Sequence, residues 1–237
     1  MNNLERNLNI LSGGAAQGLV ASLAPAFKAT TGLDIAGEFG AVGVMADKLR
    51  RGAAADIVIL TAALLAGLAE EKFVVTASIA NVGRVETALA VRSGDPKLSV
   101  TTADDLRAAL LAADAIFVPD IKASTAGIHV AKVLAQLGIA DAVADRLRVH
   151  PNGATAMRHL ASSDAKRPIG CTQSTEIIAT SGVEFSGPLP QGCELATMYT
   201  AGVTVHAANA TAAERLIELL TSTDARDLRI KAGFASR

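Results

Sequence analysis

The chain has 237 residues, enough for one large domain or two smaller lobes with a substantial buried core. Lysine and arginine (22) nearly balance aspartate and glutamate (23), which argues against an extended surface for binding nucleic acid or membranes. Half of the residues are hydrophobic but only 3% are aromatic, a balance that favours small-residue packing of helices on sheets. No apolar run approaches the roughly 20 residues of a membrane span, so no membrane insertion is expected.

The amino-terminal residues 1–7 are polar and lead directly into a strand pattern, without a basic and apolar leader. The expected location is therefore cytoplasmic for the chain as written, or periplasmic if a leader has been removed. Cys171 and Cys193 are too few for a disulfide framework or a tetrahedral zinc site. Buried thiols are expected, with a pairing of the two left open, and neither a metal nor a cofactor is expected.

The first element pattern places a glycine turn between a strand and a helix. Apolar residues over 8–11 predict a strand, Ser12-Gly13-Gly14 predicts a tight turn, and Leu19, Leu23 and Phe27 predict a helix by their spacing. The first N–H groups of a helix lack partners within it and carry partial positive charge, so an anion is a natural occupant. The alternative is an ordinary strand-to-helix turn of an α/β protein.

Strand and helix patterns then alternate to the end of the chain, which predicts an α/β fold with mostly parallel strands. Helix caps are expected at Thr61, Thr102 and Asn209. Further strands are predicted over 33–36, 56–60, 85–91, 115–118, 146–149, 168–171 and 195–205. Helices are predicted over 44–50, 61–71, 128–137 and 154–161, from 102, from 172–175 and, to finish the chain, up to 220 and over 223–231.

Four loops between a strand and a helix share one composition of small or hydroxyl residues. They cover 12–16, 40–44, 124–128 and 172–175. One such loop is weak support for a site, but four at the ends of parallel strands predict convergence on a single crevice.

Several of these stretches resemble the molybdate-binding proteins of ABC uptake systems. The resemblance rests on the opening turn, Phe39-Gly40-Ala41-Val42-Gly43, the run from Gly52 to Asp56-Ile-Val-Ile, and a second half that includes Thr125-Ala-Gly-Ile-His and Gly187-Pro-Leu-Pro190. It covers nearly the whole chain. It implies an α/β, two-lobe type II periplasmic-binding-protein-like fold, with two crossing strands between the lobes and the ligand in the interlobe cleft. Arg84–Arg92 and Ala196–Val205 are the candidate crossings. The expected lobes are 1–83 with 204–237, and 84–203.

The sequence departs from that family where the first two turns each offer a serine to the oxyanion, because it has Ala15 and Ala41-Val42 there. Each unsatisfied charged oxygen costs about 1–3 kcal/mol or more, so molybdate is disfavoured. We therefore expect a small organic anion, a di- or tricarboxylate. An ABC permease is an expected partner only if an exported form exists. The predicted ligand-binding residues are Ser12, Gly13, Gly14, Ala15, Ala41, Val42, Arg84, Ser124, Thr125, Ala126, Thr172, Gln173, Ser174 and Tyr199.

Aconitate isomerase, an enzyme, is similar to the same binding proteins, so an alternative function is a cytosolic, cofactor-free isomerase. It would act on a polycarboxylate by allylic proton transfer, with helix N-termini and Arg84 stabilising the developing charge. The base must lie within hydrogen-bond reach of the carbon acid. His129, Tyr199 and Glu38 are the candidate catalytic residues, each with a purely structural role as its alternative.

Overall fold

The computed structural model describes residues 7–235, which divide into two compact units. Unit 1 contains the described residues up to Arg84 and from Thr197 onward, and unit 2 is Val85–Ala196. The sequence placed the second boundary after residue 203, about one strand later. The difference arises because the strand that begins at Ala196 pairs with a strand of unit 1 over five residues.

Unit 1 is an α/β layer whose strands alternate with helices. Its elements are β1 (Asn7–Gly13), α1 (Gln17–Thr31), β2 (Asp34–Gly40), α2 (Val42–Arg50), β3 (Ile57–Thr61), α3 (Ala62–Glu70), the first residues of β4 (Ala80–Arg92), β9 (Ala196–Val203), α9 (Ala210–Thr221) and α10 (Arg226–Lys231). The strand order is β2-β1-β3-β9, with β1 parallel to β2 and β3, and β9 antiparallel to β3.

Local sequence explains where these elements begin and end. Residues 57–60 are buried without exception, as expected for a strand covered on both faces. Gly32 ends α1 with φ of 75°, a left-handed conformation that glycine adopts at little cost. Thr61 and Asn209 stand at the predicted cap positions, but neither side chain makes a capping hydrogen bond. The predicted cap positions of those two helices are therefore confirmed, but without the side-chain hydrogen bond expected of a cap.

The buried carboxylate of Asp56 joins three segments of unit 1. One oxygen accepts a hydrogen bond from the backbone N–H of Asn9 (2.8 Å) and the other accepts one from the N–H of Asn209 (2.8 Å). The Asp56 backbone also bonds Asn9 and Thr204, and its side chain is almost wholly buried. This residue, part of the run that carried the family resemblance, therefore serves to hold the sheet and α9 together.

Unit 2 contains a second sheet that is not mainly parallel. The rest of β4 leads into α4 (Ala103–Ala112), β5 (Ala115–Pro119), α5 (Thr125–Gln136), α6 (Ala140–Val143), β6 (Leu147–His150), α7 (Gly153–Ala161), β7 (Pro168–Gln173), α8 (Ser174–Ile178) and β8 (Val183–Pro188). Strand order is β6-β5-β7-β4, with β8 on β4. β5 is parallel to β6 and β7, whereas β4 is antiparallel to β7 and β8. The expectation of mostly parallel strands was wrong for β4, β8 and β9, because hydrophobic periodicity does not show whether neighbouring strands run parallel or antiparallel.

The sheet of unit 2 buries both faces. Ile116 and Val118 face one apolar cluster with Leu106 and Val130, whereas Phe117 faces a second cluster with Met157. This alternation is the period of two expected of a strand. Cys171 and Cys193 are free and buried, and burial raises the pKa of the Cys171 thiol to about 12.

Within residues 7–235, no single helix has the length and apolar character needed to cross a membrane, although the bent pair Thr125–Gln136 and Ala140–Arg146 would pass on length and composition together.

Candidate functional site

Three strands of unit 1 end at one edge of its sheet, which we call the carboxyl edge of unit 1. Because β1 is parallel to both neighbours, Gly13 lies beside Gly40, and Ser12 lies beside Ile59 near the end of β3. The turns leading to α1, α2 and α3 therefore leave the sheet together. This brings the predicted loops 12–16 and 40–44 to one edge, as parallel pairing requires.

Gly13 lies at a crowded backbone position of this edge. A Cβ atom there would lie 2.7 Å from Val42 Cγ1 and 2.9 Å from Tyr199 Cε1. Its backbone, with φ of −60° and ψ of 143°, is open to any residue, so close approach rather than conformation requires glycine. Tyr199 is nearly fully buried and lies opposite Thr61 in the β3–β9 pairing. Gly13 thus lets the tyrosine ring and Val42 pack against the first turn.

The helices of this edge begin without side-chain caps. A turn of 3-10 helix over Gly14–Ala16 precedes α1, and the cap positions of α1 and α2 are Ala16 and Ala41, which have no side-chain acceptor. Ala15, Ala41 and Val42 are all buried. The edge therefore combines backbone N–H donors at helix starts with carbon surface.

Ser12 is fully buried, and its hydroxyl donates a hydrogen bond to the Gly13 carbonyl at 2.9 Å. A hydroxyl has a single hydrogen to donate. In this conformation Ser12 therefore stabilises the turn, and its predicted role as a ligand donor would require that bond to break. Gly14 does not have a positive φ, so its backbone conformation would not strain a larger residue.

The corresponding carboxyl edge of unit 2 collects the ends of β5, β6 and β7, at Pro119, His150 and Gln173, and the starts of α5, α7 and α8. Asp120 shapes the loop before α5, because its Oδ1 accepts from the N–H groups of Lys122 (2.7 Å) and Ala123 (3.0 Å). Ser124 then occupies the cap position of α5 without a side-chain capping bond. Because the Ser124 hydroxyl does not cap the helix, the start of α5, at Thr125 and Ala126, is open to an external hydrogen-bond acceptor.

The start of α7 differs, because the protein fills it with its own acceptors. Asn152 Oδ1 accepts from the Thr155 N–H at 2.8 Å. The Glu176 carboxylate accepts from the N–H groups of Gly153 and Ala154, and also from Gln173 N–H and from Thr172 Oγ1 at 2.6 Å. A Cβ on Gly153 would lie 1.9 Å from Glu176 Oε2. The carboxylate therefore occupies the place that an anion would take at this helix.

Burial raises the pKa of Glu176 above its ordinary value, and the hydrogen bonds to its carboxylate oppose that rise. The hydroxyl of Thr175, the residue before Glu176, is buried and makes no hydrogen bond within the described residues. Thr172, by contrast, is committed to Glu176. Gln173 and Ser174 are buried at the turn between β7 and α8, as the sequence placed them.

The candidate catalytic residues have different surroundings. His129, half-buried in the first turns of α5, places Nε2 2.8 Å from the Cys193 carbonyl oxygen. Since a carbonyl only accepts, Nε2 carries the hydrogen, and the ring ties α5 to the loop before β9. Glu38 is exposed on β2, two residues before the strand ends at the carboxyl edge, and it forms an ion pair with Lys48. Of the three candidates, only Tyr199 reaches the carboxyl edge of unit 1.

Arg84 lies exposed on β4 at the end of unit 1. Its carbonyl accepts from the Ala235 N–H at 2.8 Å, and within residues 7–235 no ion pair involves its guanidinium. The prediction that Arg84 clamps a carboxylate remains a prediction.

Sequence reasoning missed two residues of the carboxyl edge of unit 2. Glu176 is not among the predicted site residues, although an acidic residue in a first helical turn, four positions after Thr172, is a signal for such a role. His150 is not among them either; it ends β6, and its ring stacks on that of His159 with a centroid distance of 4.3 Å. Across residues 7–235 there is no group of three or more His, Cys, Asp or Glu side chains arranged to hold a metal ion.

Comparisons with known proteins agree with this architecture. Residues 8–235 match the family model described as bacterial extracellular solute-binding protein. An aconitate isomerase from Pseudomonas sp. is 27% identical over 234 residues, covering 92% of this chain and 83% of that protein.

Two solved structures are similar in fold. The periplasmic molybdate-binding protein of Azotobacter vinelandii superposes with a TM-score of 0.79 at 19% identity, covering 96% of this chain and 98% of that one. A sulfate-binding protein of Mycobacterium tuberculosis gives 0.74 at 19% identity, covering 96% and 86%.

Proposed function

We propose, from the premise that this chain belongs to the bacterial extracellular solute-binding protein family, that it binds a small organic anion, a di- or tricarboxylate. Family membership supports binding of a small anion. The choice of a carbon-bearing anion rests on the carboxyl edge of unit 1. There the helix starts offer backbone N–H donors beside the buried carbon surface of Ala15, Ala41 and Val42.

The chemistry of that edge suits a carboxylate attached to carbon better than a tetrahedral oxyanion. Molybdate exposes four oxygens and no carbon, so it needs hydrogen-bond donors on every side, and those oxygens are costly to leave unsatisfied. In unit 1 the hydroxyl of Ser12 is bonded to Gly13, and the two turns otherwise present methyl groups. A polycarboxylate places carboxylates at the N–H donors and rests its methylenes on the methyl groups.

The carboxyl edge of unit 2, taken by itself, offers hydroxyl groups suited to a carboxylate. Ser124 and Thr125 begin α5 with no side-chain cap, and the buried Thr175 hydroxyl has no partner within the described residues. Hydroxyls of this kind can donate to a carboxylate oxygen, which strengthens the bond relative to a neutral acceptor. The start of α7 is excluded from the proposed site because Glu176 already occupies it.

A thermal-shift screen tests this proposal. Tricarballylate, citrate, succinate and trans-aconitate would be compared with molybdate and sulfate at equal ionic strength. A ligand at 100 times its dissociation constant adds about 2.7 kcal/mol of stability. We expect at least one carboxylate to raise the melting temperature and the two inorganic oxyanions to leave it unchanged. Stabilisation by molybdate alone would overturn the proposed ligand class.

A second function, isomerisation of a polycarboxylate, is favoured by the 27% identity with an aconitate isomerase over 92% of the chain. In that reaction a base removes a proton next to a carboxylate, the double bond shifts, and a proton returns to the far carbon of the allylic system. Of the three candidate bases, Tyr199 is the one at the carboxyl edge of unit 1, beside Gly13 and opposite Thr61.

Proton NMR of cis- or trans-aconitate with the protein in deuterium oxide tests this second function. Isomerisation predicts growth of the other isomer's vinyl signal together with deuterium at the allylic carbon. Unchanged spectra, with the same aconitate raising the melting temperature, would assign the protein to binding. The cytoplasmic location expected from the sequence stays a prediction, and cell fractionation with an antibody to the native protein would test it.

A further inference from the structure

A cavity of about 350 Å³ lies in unit 2 at the opposite end of the sheet from the carboxyl edge. Its lining includes the residues that begin β7, Pro168 and Ile169, and Ala113, which precedes β5. The candidate anion site lies where these parallel strands end. Volumes of roughly 300–1,000 Å³ are typical of pockets for small molecules.

The floor of this amino-edge cavity is apolar. Val91, Ala113 and Ile169 are almost fully buried there, and Leu98 also lines the cavity. Leu98 is fixed in place, since its backbone N–H donates to Ser186 Oγ at 2.7 Å. The floor therefore offers a firm carbon surface against which a short hydrocarbon chain could be removed from water.

The rim of the cavity carries positive charge that its neighbours do not cancel. Asp95 is paired with Arg92 at 2.8 Å, and Arg167 is paired with Asp114 at 3.3 Å. Lys97 and Lys166 also line the cavity, are exposed, and form no ion pair within the described residues. Two ammonium groups thus remain at the mouth of an apolar pocket.

The end of α4 borders the cavity and would oppose an anion if its carbonyl groups were bare. These carbonyl groups are not bare, because Arg146 Nη1 donates to the carbonyls of Leu111 and Ala113, each at 2.7 Å. The negative end of the helix is therefore covered by a guanidinium, and the charge facing the pocket is set by Lys97 and Lys166.

From this combination we propose that the amino-edge cavity of unit 2 is a second binding site, for a small amphipathic monocarboxylate. The hydrocarbon chain lies on the floor formed by Val91, Leu98 and Ile169, and the carboxylate lies at the ammonium groups of Lys97 and Lys166. The site is independent of the anion proposed for the carboxyl edges, since it uses none of the residues assigned there.

Calorimetric titration with hexanoate tests this site, with the methyl resonance of Ile169 followed by NMR to locate binding. Acetate keeps the charge without the chain, and hexanamide keeps the chain without the charge. We expect hexanoate to bind saturably and to shift the Ile169 methyl group, with both reference compounds weaker. Equal binding of hexanamide, no saturable hexanoate binding, or an unshifted Ile169 signal would overturn the proposal.

Three variants test whether hexanoate binds in the amino-edge cavity. The double change Lys97→Met with Lys166→Met should weaken hexanoate about three- to thirtyfold, since each exposed charge pair contributes modestly. Ala112→Phe, at an exposed lining position, should fill the pocket and abolish binding. Lys132→Met changes an exposed lysine on α5 outside the lining and should leave affinity unchanged. Hexanoate affinity unaltered by both the double change and Ala112→Phe would contradict the site.

Discussion

At the scale of single residues, Gly13 decides whether the first turn can pack. Its backbone would accept alanine, so the substitution isolates the effect of a Cβ atom 2.7 Å from Val42 and 2.9 Å from Tyr199. We expect Gly13→Ala to destabilise the protein by about 1–3 kcal/mol through overpacking. Urea denaturation measures this change, and ligand affinity should fall with it.

Gly67→Ala is the matched control for that substitution. Gly67 lies within α3, and a Cβ there would meet nothing within 4 Å. Alanine in a helix interior is favoured by roughly 0.5–1 kcal/mol over glycine. The control should therefore be neutral or stabilising, and a Gly13→Ala protein as stable as Gly67→Ala would show that Val42 and Tyr199 move aside freely.

Asp56 gives a second prediction at this scale. Each of its oxygens accepts a backbone N–H, so either orientation of an asparagine amide would point NH₂ at a donor. We expect Asp56→Asn to cost about 1–3 kcal/mol, the price of an unsatisfied buried donor. The exposed Asp34, paired with Lys28, is the control, because Asp34→Asn should change the free energy of unfolding by under about 1 kcal/mol. Equal effects of the two changes would contradict the role given to Asp56.

At the scale of helices, α4 and α5 differ in what their cap residues do. Thr102 caps α4 by accepting from the Asp105 N–H at 3.1 Å, whereas Ser124 makes no capping bond at α5. We expect Thr102→Ala to cost about 1 kcal/mol of stability and to leave ligand affinity unchanged. Ser124→Ala should spare stability and weaken the best carboxylate ligand about three- to a hundredfold. Calorimetry and urea denaturation of both variants separate the two roles, and the reverse pattern would remove Ser124 from the site.

The start of α7 predicts a dependence of stability on pH. Burial raises the pKa of Glu176 in the folded protein above its ordinary value near 4.5. A raised folded pKa gives stabilisation that is complete below the unfolded pKa and is lost as pH rises through the folded value. Relative to Glu176→Gln, the wild type should therefore lose stability as pH increases above about 4.5, by at most about 1.4 kcal/mol per pH unit.

Urea denaturation of both proteins across that range measures the difference in unfolding free energy. A difference that stays constant, or that grows in favour of the wild type with rising pH, would mean that burial does not govern this carboxyl group.

The sequence predicted helices and strands well where local residue patterns mark them. It predicted less well the direction of strands and the contacts between residues far apart in the chain. The cap predicted at Thr102 is a local feature, and the structure confirms it, with Asp105 completing a capping box. The antiparallel pairing of β9 with β3 depends on where the chain returns, which local pattern does not record. The burial of Glu176 against the start of α7 likewise depends on tertiary contacts.

At the scale of the whole chain, the family match and the fold agree with each other. The ligand has to be inferred from the chemistry of the residues at the carboxyl edges. The chain shares its fold with proteins named for molybdate and for sulfate, yet its first two turns present alanine and valine. Fold alone does not imply function, so the donors and carbon surface of the carboxyl edges carry the argument for an organic anion.

Calorimetric titration of the wild-type protein with tricarballylate, repeated in the presence of excess molybdate, tests this central claim most directly. Tricarballylate carries three carboxylates on a saturated chain, so it reports binding without the complication of isomerisation. We predict saturable binding of tricarballylate or, in the same format, of another di- or tricarboxylate, with an affinity that molybdate leaves unchanged. Saturable binding of molybdate with no heat from any carboxylate would contradict it.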